Sequence, residues 1–404
     1  MDTRHASKTV WPDAQATTGA LHGVRVVDLS RVLAGPLCTQ ILADHGASVI
    51  KIEPPFGDET RKLGPPFDQQ GNAAYFSALN RGKSAFALDL SKPEDQEVLF
   101  ALLDEADVLV ENFLPSTMEK WGLGYEDHLA ERYPRLIYCS ISGFGANGPL
   151  GGLPGYDAIL QAMCGLMSIN GSPETGPTRI GIPVVDHLTG YTALSGILMA
   201  LFARERTGKA QRVETTLFDT ALSLLVPHAM NWMQSGETPQ LLGSAHPNIA
   251  PYDSFRTRDG MVFLSILNDP QFHKFCRCIN KPGLAGNPDF ASNAARLTHR
   301  EQLRKEIEVI LKDWEKTPLC DMLMKHGIPA GPVNTVPEAL AQAHTLHRGM
   351  MVDSPGYRGL GVPIRLTETP GKPGGRPPGF NEHSDIRKSI SASTPASGSC
   401  SPEP

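Results

Sequence analysis

Two aspartates occupy positions where a carboxylate could act on a bound ligand. Asp186 follows the strand-like run 180–185 and precedes a long helix that is expected to reach Arg206 and end at Gly208. An aspartate that begins a helix can cap it by accepting backbone N–H bonds, worth about 1 kcal/mol. The same position in an α/β fold also points an aspartate, held ionised by the helix dipole, into the ligand crevice, where it can act as a nucleophile. Asp157 similarly starts a helix expected over 156–167, and spacing alone leaves both interpretations open for each aspartate.

Motifs of several common enzyme classes are missing or incomplete. Gly143, Gly145 and Gly148 match G-x-G-x-x-G after a strand, but the chain continues GPLGGLPG and cannot form the helix that a dinucleotide fingerprint needs. A nucleotide-dependent oxidoreductase is therefore disfavoured. There is no H-E-x-x-H and no G-x-S-x-G, and Cys276 and Cys278 have no second cysteine or histidine pair, so we expect no metal.

The composition is that of an ordinary globular protein with two or three domains. The chain has 404 residues, 40% hydrophobic and 20% charged, with a net charge of −6, which argues against nucleic acid as a partner. Its longest apolar stretch, Tyr191–Ala203, is shorter than the roughly 20 residues of a membrane span, so no membrane is expected. Seven cysteines in so long a chain do not form a disulfide scaffold.

Apolar runs alternate with helix signals along the first half of the chain. Strands are predicted at 24–29, 47–52, 84–90, 108–111 and 135–142, with helices opening near Pro36 and Pro93. This alternation predicts an α/β class fold, with a Rossmann-like large domain and a mostly parallel sheet.

The pattern of strand and helix signals changes after about residue 225. Asp259-Gly260 between two strand-like runs predicts a hairpin, and Thr298 with Glu301 predicts a capping box. The chain is therefore divided into a disordered extension (1–20), a large α/β domain (21–225), a small α+β domain (226–330), a return segment completing the large domain (331–388) and a disordered tail (389–404).

The chain carries a series of ordered motifs between 21 and about 385. They include LHGVRVVDLSRVLAGPLCTQILADHGASVIKIEPPFGDETR (21–61), LDLSKPED (88–95), ADVLVENFLP (106–115), GYDAILQAMCGLMSING (155–171), GIPVVDHLTG (181–190), HPNIAPYDSF (246–255) and GIPAGPVNT (327–335). Together they resemble the class III CoA-transferases, a family that also includes formyl-CoA and carnitine-CoA transferases and α-methylacyl-CoA racemases.

The resemblance assigns catalytic roles. It implies that Asp186 is the nucleophile and forms an aspartyl-CoA thioester, with Tyr156 and Asp157 in support. The racemases have a histidine at the position of Tyr156, and a phenol is a poor base near neutrality, so transfer is favoured over racemisation.

The resemblance also implies a CoA site on the large domain. Its residues are expected to be Val32, Leu33, Ala34, Leu88, Asp89, Asn112, Phe113 and Lys120. Pro54 replaces an arginine that lies near the adenosine phosphate in relatives, so Arg61 is expected to supply that contact instead. Leu33 replaces a polar amide of formyl-CoA transferase, and the glycine-rich lid of that enzyme is absent, which argues against formyl-CoA and oxalate. The segment after Ile386 is expected to lack the family's closing helix.

The motif HPNIAPYDSF resembles that of relatives that act on C4 to C6 dicarboxylates. His246 or Arg179 is expected to contact the distal carboxylate, and backbone N–H groups such as that of Gly243 are expected to stabilise oxyanions.

We therefore expect a CoA-transferase that moves CoA from an acyl-CoA, such as succinyl-CoA, to a dicarboxylic acid. Coenzyme A is a co-substrate, no tightly bound cofactor is expected, and the family forms interlocked homodimers. The expected location is the cytoplasm, or the mitochondrial matrix in a eukaryote. The alternatives are an acyl-CoA racemase or epimerase that uses Asp186 and Asp157 as acid and base, and a non-catalytic acyl-CoA-binding protein.

Overall fold

The computed structural model describes Trp11 and residues 18–393, with side chains described as far as Ile390. The chain forms two compact units. The first comprises the segments up to Cys164, Gly181–Leu225 and from His344 onward, and the second comprises Gly165–Ile180 and Val226–Ala343. The second unit thus ends at 343 rather than at the expected 330, and it includes 165–180, which the sequence analysis assigns to the large domain.

A six-stranded parallel sheet forms the centre of the first unit. Its strands are β1 (Arg25–Asp28), β2 (Ser48–Glu53), β3 (Ser84–Ala87), β4 (Val108–Glu111), β5 (Ile137–Ser142) and β6 (Arg212–Thr216), in the order β3-β2-β1-β4-β5-β6. This confirms the expected α/β class with a parallel, Rossmann-like sheet. The strand order reverses between β1 and β4, and α/β folds bind ligands at the carboxyl ends of the strands beside such a reversal.

The helices of the first unit include five that are labelled in chain order. They are α1 (Ala34–Asp44), α2 (Pro93–Leu103), α3 (Asp157–Met163), α4 (Val184–Thr207) and α5 (Leu217–Ser223). Every residue of α1 is buried, and α1 packs against α4. The approach is close at Gly190, where an added Cβ would lie 2.8 Å from the carbonyl oxygen of Ala34, so only glycine fits there.

Helix α4 is long and apolar enough to cross a membrane by length and composition alone. Val185, Ala193, Leu194 and Ile197 are buried inside the first unit, 39% of the apolar window is buried in all, and one such helix is weak evidence for a membrane span.

Two local predictions about the helices are wrong. The run 180–185 is no strand, because α4 begins at Val184 with Pro183 as its N-cap, and a proline cannot donate to a strand ladder. Asp186 is therefore the third residue of α4 and not its cap. The helix predicted over 156–167 ends at Met163, and a short helix, Leu166–Ile169, follows after Gly165, which has a left-handed φ of +86°.

The core of the first unit includes residues from near both ends of the described chain. Trp11, Ile386 and Ile390 are buried with the sheet residues in one apolar cluster. Ile386 and Ile390 lie on a helix, Ser384–Ser393, so the predictions of a disordered tail from 389 and of a missing closing helix are wrong for these residues. The predicted disorder of 1–10, 12–17 and 394–404 lies outside the described residues.

Shorter elements complete the first unit. They are the helical segments Glu59–Lys62, Ala74–Ser77, Thr117–Lys120, Tyr125–Leu129 and Ala130–Arg132, and the hairpin strands Met351–Ser354 and Tyr357–Leu360. The helix Ala343–His347 begins at the boundary between the units.

The second unit contains a three-stranded antiparallel sheet. Its strands are β7 (Tyr252–Arg256), β8 (Met261–Ser265) and β9 (Ala330–Pro332), and the turn at Asp259-Gly260 confirms the predicted hairpin. The helices of this unit are Leu166–Ile169, His228–Ser235, Asp269–Cys278, Pro282–Gly286, Asn293–Thr298, Arg300–Leu311, Lys316–Lys325 and Val336–Ala341, with a short 3-10 turn at Pro288–Phe290 and a two-residue ladder between 171–172 and 176–177.

The capping box predicted at Thr298 and Glu301 is wrong. Thr298 is the last residue of a helix and donates its hydroxyl to the carbonyl of Ala294 at 3.1 Å, so its side chain is turned away from the next helix. A capping box is present instead at Thr335 and Glu338.

Candidate active site

A cavity of about 530 Å³ lies in the first unit at the carboxyl ends of β1, β4 and β5. Its walls include the loop after β1, the segment 112–115 after β4 and the end of β5 at 141–143, together with Tyr156, Asp186 and Leu217. It therefore occupies the position where ligands bind in folds of this topology.

The side chain of Asp157 forms hydrogen bonds with the backbone around Asp186. The Oδ1 atom of Asp157 accepts the N–H of Val185 at 2.8 Å and that of Asp186 at 3.2 Å, and its Oδ2 atom accepts from Gln161 at 2.7 Å. Asp157 is buried and lies in the first turn of α3. Its carboxylate thus caps α4 in place of a side chain of α4 itself, and it fixes the turn that carries Asp186.

Burial and the neighbouring Asp157 raise the pKa of Asp186 from 3.8 to about 7. The position of Asp186 near the start of a helix predicts a carboxylate that the helix dipole keeps ionised. Burial and the like charge of Asp157 instead favour the protonated form of this carboxyl.

Tyr75 is a further neighbour of this pair that the sequence analysis missed. Burial raises its pKa to about 12, and the charges of Asp186 and Asp157 contribute to the rise. Tyr75 lies on the short helix Ala74–Ser77, and no sequence pattern connects that helix with 157 or 186.

The loop after β1 is held in an unusual conformation by three side chains. Lys51 donates to the carbonyl of Ser30 at 2.6 Å, and Asp58 accepts the N–H of Val32 at 3.5 Å. Asn112 bonds both backbone groups of Arg31, at 2.8 and 2.7 Å. Val32 has a φ of +69°, which is rare for a β-branched residue and costs energy that these bonds offset.

Two buried ion pairs lie in the first unit near this loop. Lys51 and Asp58 are 3.1 Å apart, Lys83 and Asp28 are 3.0 Å apart, and all four side chains are inaccessible to solvent. Burial alone would raise the pKa of Asp28, but the facing lysines lower it to about 2. Burial lowers the pKa of Lys83 to about 8 despite Asp28. Removing one partner of either pair would leave an unpaired buried charge, so both pairs are needed for a stable fold around the loop.

Four of the nine predicted CoA residues line the cavity. Val32, Ala34, Asn112 and Phe113 are in its wall, as is Tyr156, whose side chain is exposed. The others do not line it: Leu33 and Leu88 are buried in the core, and Asp89 and Lys120 lie elsewhere on the unit.

The prediction that Arg61 contacts CoA disagrees with the structure. Its guanidinium donates to the Glu53 carboxylate at 2.7 and 2.6 Å and to the carbonyl of Pro378 at 3.1 Å, it also bonds Asn72, and it lies 3.7 Å from the ring centre of Phe76. Arg61 is buried, and its guanidinium is bonded to partners inside the fold. The arginine in the cavity wall is Arg31, which the sequence analysis missed although it directly precedes the predicted Val32.

The residues predicted to contact the distal carboxylate lie in the second unit. Burial and nearby positive charge from Arg300 lower the pKa of His246, which disfavours the imidazolium form that the expected cationic contact requires. The N–H of Gly243 donates to the carbonyl of Gly171 at 2.8 Å, so it does not serve as the expected oxyanion donor. Arg179 is exposed on the segment 165–180.

Within the described residues, no group of three or more histidine, cysteine or acidic side chains is arranged to hold a metal ion. The described cavity offers two carboxyl groups, a phenol and a guanidinium, which suit acyl transfer through a carboxylate nucleophile.

Comparisons with known proteins agree over nearly the whole chain. Residues 21–384 match the profile of the family described as CoA-transferase family III. The chain is 40% identical to a succinate–glutarate CoA-transferase of Agrobacterium fabrum, over 87% of this chain and 90% of that protein. It is also 40% identical to an acetyl-CoA:oxalate CoA-transferase of Acetobacter aceti, over 88% and 92%. The crystal structure of a CAIB/BAIF family protein from Brucella suis superposes with a TM-score of 0.84 at 42% identity, covering 92% of this chain and 100% of that one.

Proposed function

Because this chain belongs to CoA-transferase family III, we propose that it transfers CoA from succinyl-CoA to a C4 to C6 dicarboxylic acid through a covalent intermediate on Asp186. The observation that carries the proposal is the position of Asp186 in the wall of the 530 Å³ cavity, on a helix turn fixed by Asp157.

The first half of the reaction loads CoA onto the protein. The Asp186 carboxylate attacks the carbonyl of the donor thioester, the C–S bond breaks, and an acyl-aspartyl anhydride and the CoA thiolate form. The thiolate then attacks the carbonyl carbon of Asp186, which releases the donor acid and leaves an aspartyl-CoA thioester.

The second half returns CoA to an acid. The acceptor carboxylate attacks the aspartyl thioester and forms a second anhydride, and the retained thiolate attacks the acceptor's acyl carbon. This step releases the new acyl-CoA and regenerates the Asp186 carboxylate. Holding the thiolate beside Asp186 gives it a high effective concentration and limits its loss to water.

The choice of acids is supported by the relatives. The name of the Agrobacterium fabrum protein gives succinate and glutarate as its acids, which favours a dicarboxylate pair here. The equal identity to an oxalate enzyme weakens the argument from sequence against oxalate, so oxalate belongs in the panel of acceptors to be tested.

Mass spectrometry after incubation with succinyl-CoA, without an acceptor, tests the covalent intermediate. We expect an adduct of the mass of CoA that hydroxylamine removes and that maps to the peptide containing Asp186. The Asp186→Ala variant should still bind CoA but give no adduct. Turnover retained in that variant would contradict the proposed nucleophile, and glutarate, mesaconate and oxalate can then be compared for the rate at which they discharge the adduct.

The racemase alternative fits the geometry less well. Although a pKa near 7 suits Asp186 as an acid or base, both oxygens of Asp157 already accept hydrogen bonds from Val185, Asp186 and Gln161. Asp157 is also buried and is not among the residues of the cavity wall, so it is poorly placed to move a second proton. Deuterium incorporation from solvent at the α-carbon of a branched acyl-CoA would support racemisation, whereas we expect none.

We further propose that the protein acts as a homodimer, in keeping with the interlocked dimers of its family. Helix α4 exposes Leu198, Met199 and Phe202 beside the half-exposed Tyr191, at spacings that place them on one face. A contiguous apolar surface of this kind marks an interaction site, and a second copy of the chain is the partner that we infer. Light scattering after gel filtration should give twice the mass of one chain, and Phe202→Arg should reduce it.

A further inference from the structure

We propose that Arg31 recognises an anionic group of the acyl-CoA substrate and that Glu59 holds its guanidinium until that group arrives. The proposal rests on the proposed function, because it takes acyl-CoA as the occupant of the cavity. The anionic group is either the distal carboxylate of the acyl chain or the diphosphate of CoA, and the guanidinium fork fits both.

The charges of the cavity wall lead to Arg31. Among the described residues of that wall, Arg31 is the one cation, and the wall also contains two carboxyl side chains, those of Glu59 and Asp186. A substrate with several negative charges that enters this cavity needs a positive group to offset them, and Arg31 is placed to do so.

The base of the Arg31 side chain is fixed. Its backbone N–H and carbonyl both bond the side chain of Asn112, at 2.8 and 2.7 Å, and its guanidinium lies 5.6 Å from the ring centre of Phe113. Asn112 and Phe113 are themselves in the cavity wall. The guanidinium is therefore presented from a rigid loop, which reduces the entropy lost when it binds an anion.

The contact with Glu59 can be exchanged. Arg31 Nη1 lies 2.7 Å from Glu59 Oε1, but 27% of the arginine side chain and 53% of the glutamate side chain are exposed to solvent. Exposed ion pairs contribute little to stability, so an incoming anion can replace the glutamate. Arg61, in contrast, is buried with Glu53 and cannot change partners in this way.

Three glutamine variants test this inference. Arg31→Gln should raise the KM for succinyl-CoA about tenfold or more, because it removes a charged hydrogen bond to the substrate. Glu59→Gln should leave the KM at or below the wild-type value, because it removes the competitor for the guanidinium. Arg135→Gln is the matched control, since it removes an arginine from another exposed pair, with Glu205, outside the cavity wall, and should leave the KM unchanged.

Two substrate analogues distinguish the sources of the anion. If Arg31 binds the diphosphate, the effect of Arg31→Gln should vanish with succinyl-pantetheine, which lacks phosphates. If it binds the distal carboxylate, the effect should persist with succinyl-pantetheine and vanish with butyryl-CoA.

The directions of the two KM changes decide between recognition and a structural role. A structural ion pair would make Arg31→Gln and Glu59→Gln change KM in the same direction, and that result, or an unchanged KM in Arg31→Gln, overturns the inference. The covalent adduct at saturating succinyl-CoA is measured in parallel. If Arg31→Gln forms the adduct and its KM is unchanged, the role of Arg31 is rejected and the proposed function stands. If even the wild type forms no adduct, the proposed function is rejected.

Discussion

The carboxylate of Asp157 accepts the backbone N–H of Asp186 at 3.2 Å, so the side chain of one acidic residue fixes the backbone of the other. The same carboxylate accepts the N–H of Val185 and thereby completes the first turn of α4. Its charge also helps to raise the pKa of Asp186 to about 7. Asp157 therefore positions Asp186 and, after burial, also contributes to its raised pKa.

The rate of adduct formation should depend on pH through Asp186. The carboxylate is the nucleophile, so the rate at subsaturating succinyl-CoA should rise with pH, with a midpoint near 7, and level off above it. Asp157→Asn removes a negative charge and lowers the pKa of Asp186, so the midpoint should move to lower pH. Quenched-flow mass spectrometry measures both profiles, and an unchanged midpoint in Asp157→Asn would contradict the coupling.

Replacing Asp186 by asparagine should stabilise the protein at pH 8 while it abolishes exchange. The pKa of this acid is raised on folding from 3.8, so the folded state binds the extra proton between about pH 4 and 7 and loses stability as pH rises through that window. At pH 8 the ionised, buried carboxylate costs up to about 4 kcal/mol. Calorimetry should show a higher midpoint for Asp186→Asn at pH 8 and a smaller difference at pH 4. Equal differences at both pH values would argue against this cost.

The left-handed conformation of Val32 can be measured with two variants at that position. Val32→Ala and Val32→Gly both remove the isopropyl group, but only glycine adopts a φ of +69° without strain. The glycine variant should therefore be more stable than the alanine variant by about 1 kcal/mol. At most positions the alanine variant is the more stable of such a pair, so the expected order is the reverse of the usual one. Urea titration of both proteins tests it. An alanine variant that is the more stable would show that the loop relaxes.

The helix Ser384–Ser393 should contribute strongly to the stability of the first unit. Ile390 is 2% exposed, and replacing a buried isoleucine by alanine costs roughly 2–5 kcal/mol. Lys388→Ala on the same helix is the control, because that side chain is exposed. Calorimetry should show a lowered midpoint for Ile390→Ala alone. Similar midpoints for the two variants would mean that the helix contributes little.

The sequence predicted best those features that depend on local apolar patterns. Parallel strands buried on both faces are continuous apolar runs, and for that reason Val108–Glu111 was predicted with its observed bounds. The run 180–185 is also apolar, but its proline and glycine prevent strand pairing, and the apolar pattern alone does not reveal this.

The site was predictable only in part because its contacts join distant segments. Asp186 and Asp157 stood out by type and position, whereas the capping of one by the other crosses 29 residues. The burial of Arg61 against Glu53 and Phe76, and the proximity of Tyr75 to the two aspartates, exist only in the folded unit. The cytoplasmic location stays a prediction.

The placement of Ile386 and Ile390 in the core has a consequence for synthesis on the ribosome. The first unit is assembled from three stretches of chain, and its apolar cluster includes these two residues from the third stretch. The sheet is therefore translated long before the cluster can be completed, and part of its apolar surface remains uncovered in the meantime. The second unit is made almost entirely from one stretch, 226–343, and can fold while the last residues of the first are still being added. Nascent chains stalled before 386 should consequently bind chaperones through the first unit.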